Sequence, residues 1–104
     1  MQHIDPLELK QKIQSGKKFF LLDVREEWEY EEDNIGGENI PLGKIPKRLD
    51  ELDQLKHSEI ICHCRTGRRS HQAAKYLAKQ GFEKVYSVQG GLEAYLSLQS
   101  TGQD

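Results

Sequence analysis

Glu59-Ile60-Ile61-Cys62-His63-Cys64-Arg65-Thr66-Gly67-Arg68-Arg69-Ser70 is the stretch whose reading decides the fold. Its first half is an apolar run of strand length, of the kind buried on both faces in a parallel sheet. Its second half is a basic loop containing Gly67. The loop leads into Ala73, Ala74, Leu77 and Ala78, one face of a helix that stops at Gly81. A strand that ends in a cysteine, turns through a glycine and restarts as a helix sets that cysteine on a sheet rim. Ligands of open α/β sheets bind beyond the carboxyl ends of the strands, on that rim.

The flanking sequence extends the same alternation. Phe19 to Val24 is a second buried-type strand with Asp23 near its carboxyl end, and Lys84 to Val88 gives another strand. Asp5-Pro6-Leu7-Glu8 reads as a helix start: Asp5 as cap, Pro6 at the first position and Glu8 completing a capping box. Leu9 and Ile13 then face inward, and Gly16 ends the helix. Arg25 to Asp33 is a short acidic helical connection in which Trp28 and Tyr30 are packing residues able to wall a pocket. Gly36-Gly37 breaks the chain before Asn39-Ile40-Pro41, the end of a brief strand. Ile45, Leu49 and Leu52 have helical spacing, with Pro46 near the start. After the Gly90-Gly91 turn, Leu92, Tyr95 and Leu96 mark a last amphipathic helix. The pattern predicts an α/β domain, its central sheet largely parallel and flanked by helices. At 104 residues, the chain is read as one domain over 1–104.

Bulk composition excludes more than it assigns. A net charge of −2 gives no electrostatic case for a nucleic-acid or membrane partner. The longest apolar run, Phe19 to Leu22, is too short to span a bilayer. Met1 to Pro6 lacks the apolar core of a signal peptide, and two cysteines at i and i+2 suit no structural disulfide. Free thiols and a reducing cytoplasm are the expectation.

The placement of charge is more telling. Eight acidic residues and one basic residue lie between Asp23 and Glu38, whereas Ile60 to Phe82 holds no carboxylate and includes Arg65, Arg68 and Arg69. The acidic block reads as a solvated face, while the basic block begins beside Cys64. If the loop curls around that sulfur, its backbone N–H groups from Arg65 to Arg69, the positive end of the following helix and the arginines all favour a thiolate. The same cradle suits an oxo or thio anion. Cys62, two residues back in the strand, reads as core, and Cys62-His63-Cys64 lacks the second ligand pair of a zinc site. No metal or cofactor is expected. His71 reads as an exposed helix residue, and His3 and His57 carry no signal.

Cys64-Arg65-Thr66-Gly67-Arg68-Arg69-Ser70 resembles the active-site loop of rhodanese-like sulfurtransferases, Cys-Arg-Ser-Gly-x-Arg-Ser. Asp23-Val24-Arg25 with Glu29-Tyr30 is similar to that family's Asp-Val-Arg-x-x-x-Glu-Tyr segment. Asn34-Ile35-Gly36-Gly37-Glu38-Asn39-Ile40-Pro41 resembles its Gly-His-Ile-x-Gly-Ala-x-Asn-Ile-Pro, and Gly90-Gly91-Leu92-Glu93-Ala94-Tyr95 its closing Gly-Gly-x-x-Ala-Trp. The segments occur in family order. Asp33-Asn34 in place of Gly-His, a segment one residue shorter before Asn39, and Tyr95 in place of Trp are the departures.

The resemblance implies the rhodanese-like three-layer fold and a two-step reaction. Cys64 takes sulfane sulfur from a small anionic donor such as thiosulfate, holds it as a persulfide, and passes it to cyanide, a thiol or a sulfur-accepting protein. Arg65, Thr66, Gly67, Arg68 and Arg69 would bind the substrate. Arg69 is the ordered arginine, paired with Glu29 or Asp23, and Arg65 and Arg68 are rim charges. Asp23, Arg25 and Glu29 would support the loop. Two other readings stand beside this one. A persulfide carrier or interaction module would share the same loop. A phosphatase or arsenate reductase of related fold would use Cys-x5-Arg, which needs an arginine at position 70, where this chain has Ser70.

Overall fold

The computed structural model describes residues 1–101, with side chains described through Leu98. Five strands form one wholly parallel sheet: β1 Gln2–Ile4, β2 Phe20–Asp23, β3 Glu38–Asn39, β4 Glu59–His63 and β5 Lys84–Val88, in the order β1-β5-β4-β2-β3. The helices are α1 Pro6–Ser15, α2 Glu27–Glu32, α3 Leu49–Leu52, α4 Arg68–Lys79 and α5 Gly91–Thr101.

Two cores sandwich the sheet, sorted by the period of two along each strand. Leu22, Ile60, Cys62 and Val85 point to one face and pack with Leu52 of α3 and Ala73, Ala74 and Leu77 of α4. Ile4, Ile61 and Val88 point to the other, against Leu9 of α1 and Leu92 and Tyr95 of α5. The architecture is the three-layer α/β fold expected from the strand–helix alternation.

The local signals explain most boundaries. Asp5 and Glu8 form the capping box, with Glu8 N–H donating to Asp5 Oδ1 at 2.9 Å and Asp5 N–H to Glu8 Oε1 at 3.1 Å. Gly16 closes α1 in the left-handed conformation at φ 72°.

Three features differ from the sequence reading. The segment from Gln2 to Ile4 is an edge strand paired with β5; it is too short to display a periodicity. The single helix expected around Ile45 to Leu52 is instead a chain of tight 3₁₀ turns (42–44, 46–48 and 53–55) around the one-turn α3. The run breaks at Arg48, whose φ of −110° and ψ of 15° lie outside the α region, so the turns before it do not join α3. Ile13, Leu96 and Trp28 are exposed, with Trp28 at 61%. Trp28 is therefore not a packing residue.

Candidate active site

Strand β4 delivers Cys64 to the carboxyl rim, and the chain then bends around its sulfur. The Gly67 N–H points at Cys64 Sγ from 3.1 Å and the Ser70 N–H from 3.3 Å. Gly67, at φ 105°, makes the turn that opens α4, so the sulfur also faces the positive end of a twelve-residue helix. Gly67 lies within the Arg65–Arg69 span expected from sequence, and Ser70 lies one residue beyond it, in the first turn of α4.

What turns the loop's N–H groups inward is the engagement of its carbonyls from behind. Leu92 N–H donates to the Cys64 carbonyl at 2.7 Å and Glu93 N–H to the Arg65 carbonyl at 3.0 Å, both from the first turn of α5. This close approach requires Gly91. A Cβ there would lie 2.5 Å from the Cys64 carbonyl oxygen and 2.6 Å from Arg65 backbone atoms, at φ +61°. Gly91→Ala should cost about 2 kcal/mol or more and disrupt the loop. Gly16→Ala, which has open space but a similar φ, should cost only about 1 kcal/mol. Chemical denaturation of the two variants checks the difference; equal losses would contradict the role given to the close approach.

Two buried hydroxyls complete the sulfur's surroundings, and neither was among the candidate residues. Ser70 Oγ lies 3.7 Å from Cys64 Sγ and 2.8 Å from Ser87 Oγ, and it donates to the Gly67 carbonyl at 3.2 Å. The signal available for Ser87 was a polar residue at an inward position of an otherwise apolar strand.

Of the arginines, Arg69 is held by Glu29 through two hydrogen bonds, Nη1 to Oε1 at 2.6 Å and Nη2 to Oε2 at 3.1 Å. Arg65 also leans on Glu29, at 3.5 Å, while staying exposed on the rim. Arg68 and Thr66 are exposed on the loop tip. The Arg69 guanidinium is the main reason the buried Glu29 carboxyl falls from its ordinary 4.5 to about 2. A carboxyl depressed by folding stabilises the native state above its unfolded value and loses that contribution as pH falls through the folded one. The clamp should therefore weaken between pH 4.5 and about 2. Thermal unfolding of Glu29→Gln should be flatter with pH across that window than that of the parent; parallel curves would contradict the assignment.

Asp23 and Arg25 form a fully buried pair, both 0% exposed. Arg25 donates to Asp23 from its backbone N–H, Nε and Nη2, at 2.8–3.1 Å, and Nη2 also reaches the Asp33 carbonyl at 2.8 Å. The pair touches the cysteine loop only indirectly, through the β2–β4 pairing and the 3.0 Å bond from Val24 N–H to the His63 carbonyl. Glu29 supports the loop directly; Asp23 and Arg25 support the strand beside it. The Asp33-Asn34 departure has a use as well. Asn34 Nδ2 donates to the Tyr30 carbonyl and Oδ1 accepts from Gly36 N–H, both at 2.9 Å, which turns the chain after α2. Tyr95 fills the apolar core beside Leu9.

His63, between the two cysteines, is buried with Nε2 3.7 Å from Asp23 Oδ2 and neither ring nitrogen hydrogen-bonded. Burial pushes its pKa below the ordinary value, which keeps the ring neutral. Burial also pushes the Cys62 thiol up to about 12, with the nearby Cys64 adding to the shift. Cys62 is a core residue, whereas Cys64 alone has the N–H cradle.

A rhodanese-like domain profile matches residues 5–98. The chain belongs to the rhodanese-like family. Among curated rhodanese-like relatives, it is 38% identical over 96 residues to the putative sulfurtransferase YtwF of Bacillus subtilis, covering 91% of this chain and 90% of that one. It is 48% identical over 84 residues, 80% of its length, to the putative sulfur carrier protein YrkF of the same organism, of which it spans only 44%. A crystal structure of a Staphylococcus saprophyticus protein superimposes with a TM-score of 0.82 at 31% identity, covering 91% of this chain and 93% of that one. No helix among the described residues of this rhodanese-like chain is long and apolar enough to cross a membrane.

Proposed function

We propose that this protein is a sulfurtransferase that carries sulfane sulfur as a persulfide on Cys64. The observation that supports the reading best is the pair of backbone N–H groups, from Gly67 and Ser70, aimed at one sulfur. Donors fixed at that point stabilise negative charge on Cys64 as a thiolate and, once loaded, on the persulfide. The thiolate attacks the outer sulfur of thiosulfate, a new S–S bond forms, and sulfite leaves with the electron pair of the bond that breaks. Cyanide or a thiolate then attacks the outer sulfur and Cys64 departs as a thiolate, which closes a ping-pong cycle. Arg65, Thr66, Gly67, Arg68 and Arg69 are the residues we assign to the donor anion. Cys64 is 0% exposed, and the exposed side chains of Arg65, Thr66 and Arg68 border the rim at which the donor arrives.

Residues 1–104 are read as one domain working in a reducing compartment such as the cytoplasm, a reading supported by two free, buried cysteines. Thiocyanate formation from thiosulfate and cyanide should saturate in both substrates with parallel double-reciprocal lines, while an aryl phosphate is hydrolysed no faster than in buffer. Phosphate hydrolysis without thiocyanate formation would overturn the assignment.

A second reading, that the physiological acceptor is a protein and the chain a dedicated sulfur carrier, is favoured by the similarity to the relative named a sulfur carrier. A carrier should discharge to its partner protein far faster than to small thiols at equal concentration.

A further inference from the structure

The outer side of α2 joins a bare tryptophan to unpaired carboxylates. Trp28, the chain's single tryptophan, stands there at 61% exposure. Glu31 and Glu32, three and four residues on, share its side of the helix, and both are exposed. Neither has an ion pair among the described residues. Glu27 is exposed as well and meets Lys44 across 3.5 Å. From Glu26 to Asp33 the chain carries six carboxylates and no basic residue, and within α2 only Glu29 is buried. The helix is held firmly, and it is held at the cysteine loop. Glu29 clamps Arg69 at 2.6 and 3.1 Å and meets Arg65 at 3.5 Å. The Tyr30 hydroxyl donates to the Gly37 carbonyl at 2.9 Å, and Arg25 donates to the Asp33 carbonyl at 2.8 Å. The indole is therefore presented from a fixed element on the rim that carries Cys64.

We infer that Trp28 and the carboxylates around it dock a partner protein whose matching face is an apolar pocket ringed by lysine and arginine. The inference rests on the sulfurtransferase reading for its purpose, and adds to it a surface and a kind of partner. Charge complementarity selects the occupant. The uncompensated glutamates favour a basic face, and they repel anionic lipid headgroups and nucleic-acid phosphates. The indole supplies the anchor, since binding energy at protein interfaces concentrates in aromatic side chains that fill a pocket inside a polar rim. Docking costs little ordering, because α2 is already fixed and only the exposed side chains lose freedom. A partner seated on α2 lies beside the exposed Arg65 and Arg68, which attract its thiolate. That thiolate bonds to the outer sulfur of the Cys64 persulfide as the bond to Cys64 breaks. The partner leaves as a persulfide and the Cys64 thiolate is restored, with no external oxidant or reductant.

Two measurements test this, the first without any sulfur chemistry. A phage-displayed library of random peptides is selected on the full chain, and the peptides recovered are titrated into it. They should be rich in lysine, arginine and large apolar residues, and their binding should shift the emission of Trp28 to shorter wavelength as the indole leaves water. Affinity should fall steeply from about 0.01 M to about 1 M salt. By calorimetry it should weaken about tenfold or more in Trp28→Ala, and again in Glu31→Gln with Glu32→Gln, once melting curves establish that the variants fold. Peptides of neutral or acidic composition, or binding that leaves the emission and the variants' affinities unchanged, would overturn the inference. So would an emission shift with protein concentration alone, which would place a second copy on this surface. In the second measurement, a recovered peptide extended by a cysteine is offered to protein loaded from thiosulfate. It should take sulfur about tenfold faster than the same peptide with its lysines and arginines replaced by glutamine, and Trp28→Ala should erase that advantage while leaving discharge to cyanide unchanged. Loading with no preference for the basic peptide counts against the inference and leaves the sulfurtransferase reading intact. Basic peptides that bind at Trp28 when thiosulfate loads no sulfur support the docking surface and sink the sulfurtransferase reading alone.

Discussion

Cys64→Ser should reduce thiocyanate formation from thiosulfate to the rate in buffer while leaving the fold almost untouched. A serine hydroxyl can accept the same bonds from Gly67 and Ser70 N–H. The substitution is close to isosteric, with an expected stability change of about 1.5 kcal/mol or less. What it removes is the only step that needs sulfur: a hydroxyl neither ionises at neutral pH nor holds a sulfane sulfur. Cys62 is the internal control. It sits two residues away with its thiol pushed up to about 12 by burial, so Cys62→Ala should retain turnover in the folded fraction. The check is steady-state turnover beside a denaturation curve for both variants. Residual turnover in Cys64→Ser well above buffer, or loss of turnover in folded Cys62→Ala, would move the chemistry away from Cys64.

The largest stability effect is expected at Asp23, which is fully buried. Asp23→Ala leaves the Arg25 guanidinium buried at 0% exposure with its main partner gone. The Asp33 carbonyl still accepts from Nη2, but Nη1 already lacks a hydrogen bond. Breaking a buried pair by removing one member costs about 3–5 kcal/mol, against a total stability of about 5–15 kcal/mol for a domain. Asp23→Ala should therefore be barely folded at 37 °C. Removing both members is different, because no charge is left stranded. Asp23→Leu with Arg25→Met should recover much of the loss. Urea midpoints for the single and double variants decide the matter; a double variant less stable than Asp23→Ala would contradict the account of the pair.

Much of this molecule was legible before any coordinates. Strands β2 and β4 announce themselves because a strand buried on both faces is nearly continuously apolar. The capping box of α1 and the glycines that end α1 and open α4 are local devices, set by atoms a few residues apart. Cys64 and the loop after it belong to one short motif, whereas the choice between Glu29 and Asp23 as the partner of Arg69 is made by the fold, across 40 positions.

The misses are long-range. β1 is three residues long and acquires its identity only by pairing with β5. Ser87 lies seventeen residues from Ser70, and nothing in its local sequence says that its neighbour will be the cysteine loop. His3 and His71 meet across 68 positions, so two unremarked histidines became a pair only in the fold. Trp28 was misjudged. Which side chain finds a partner or a cover depends on where the short α2 settles on the rim, and the acidic run that forms it has no periodicity to indicate that.

The central claim is that one sulfur atom is held on one cysteine. Intact-protein mass spectrometry after incubation with thiosulfate and removal of excess donor tests it most directly. The account predicts a gain of a single sulfur atom, mapped by peptide fragmentation to Cys64, absent in Cys64→Ser and lost on adding cyanide. No gain in the parent protein, or a gain that survives in Cys64→Ser, would contradict it.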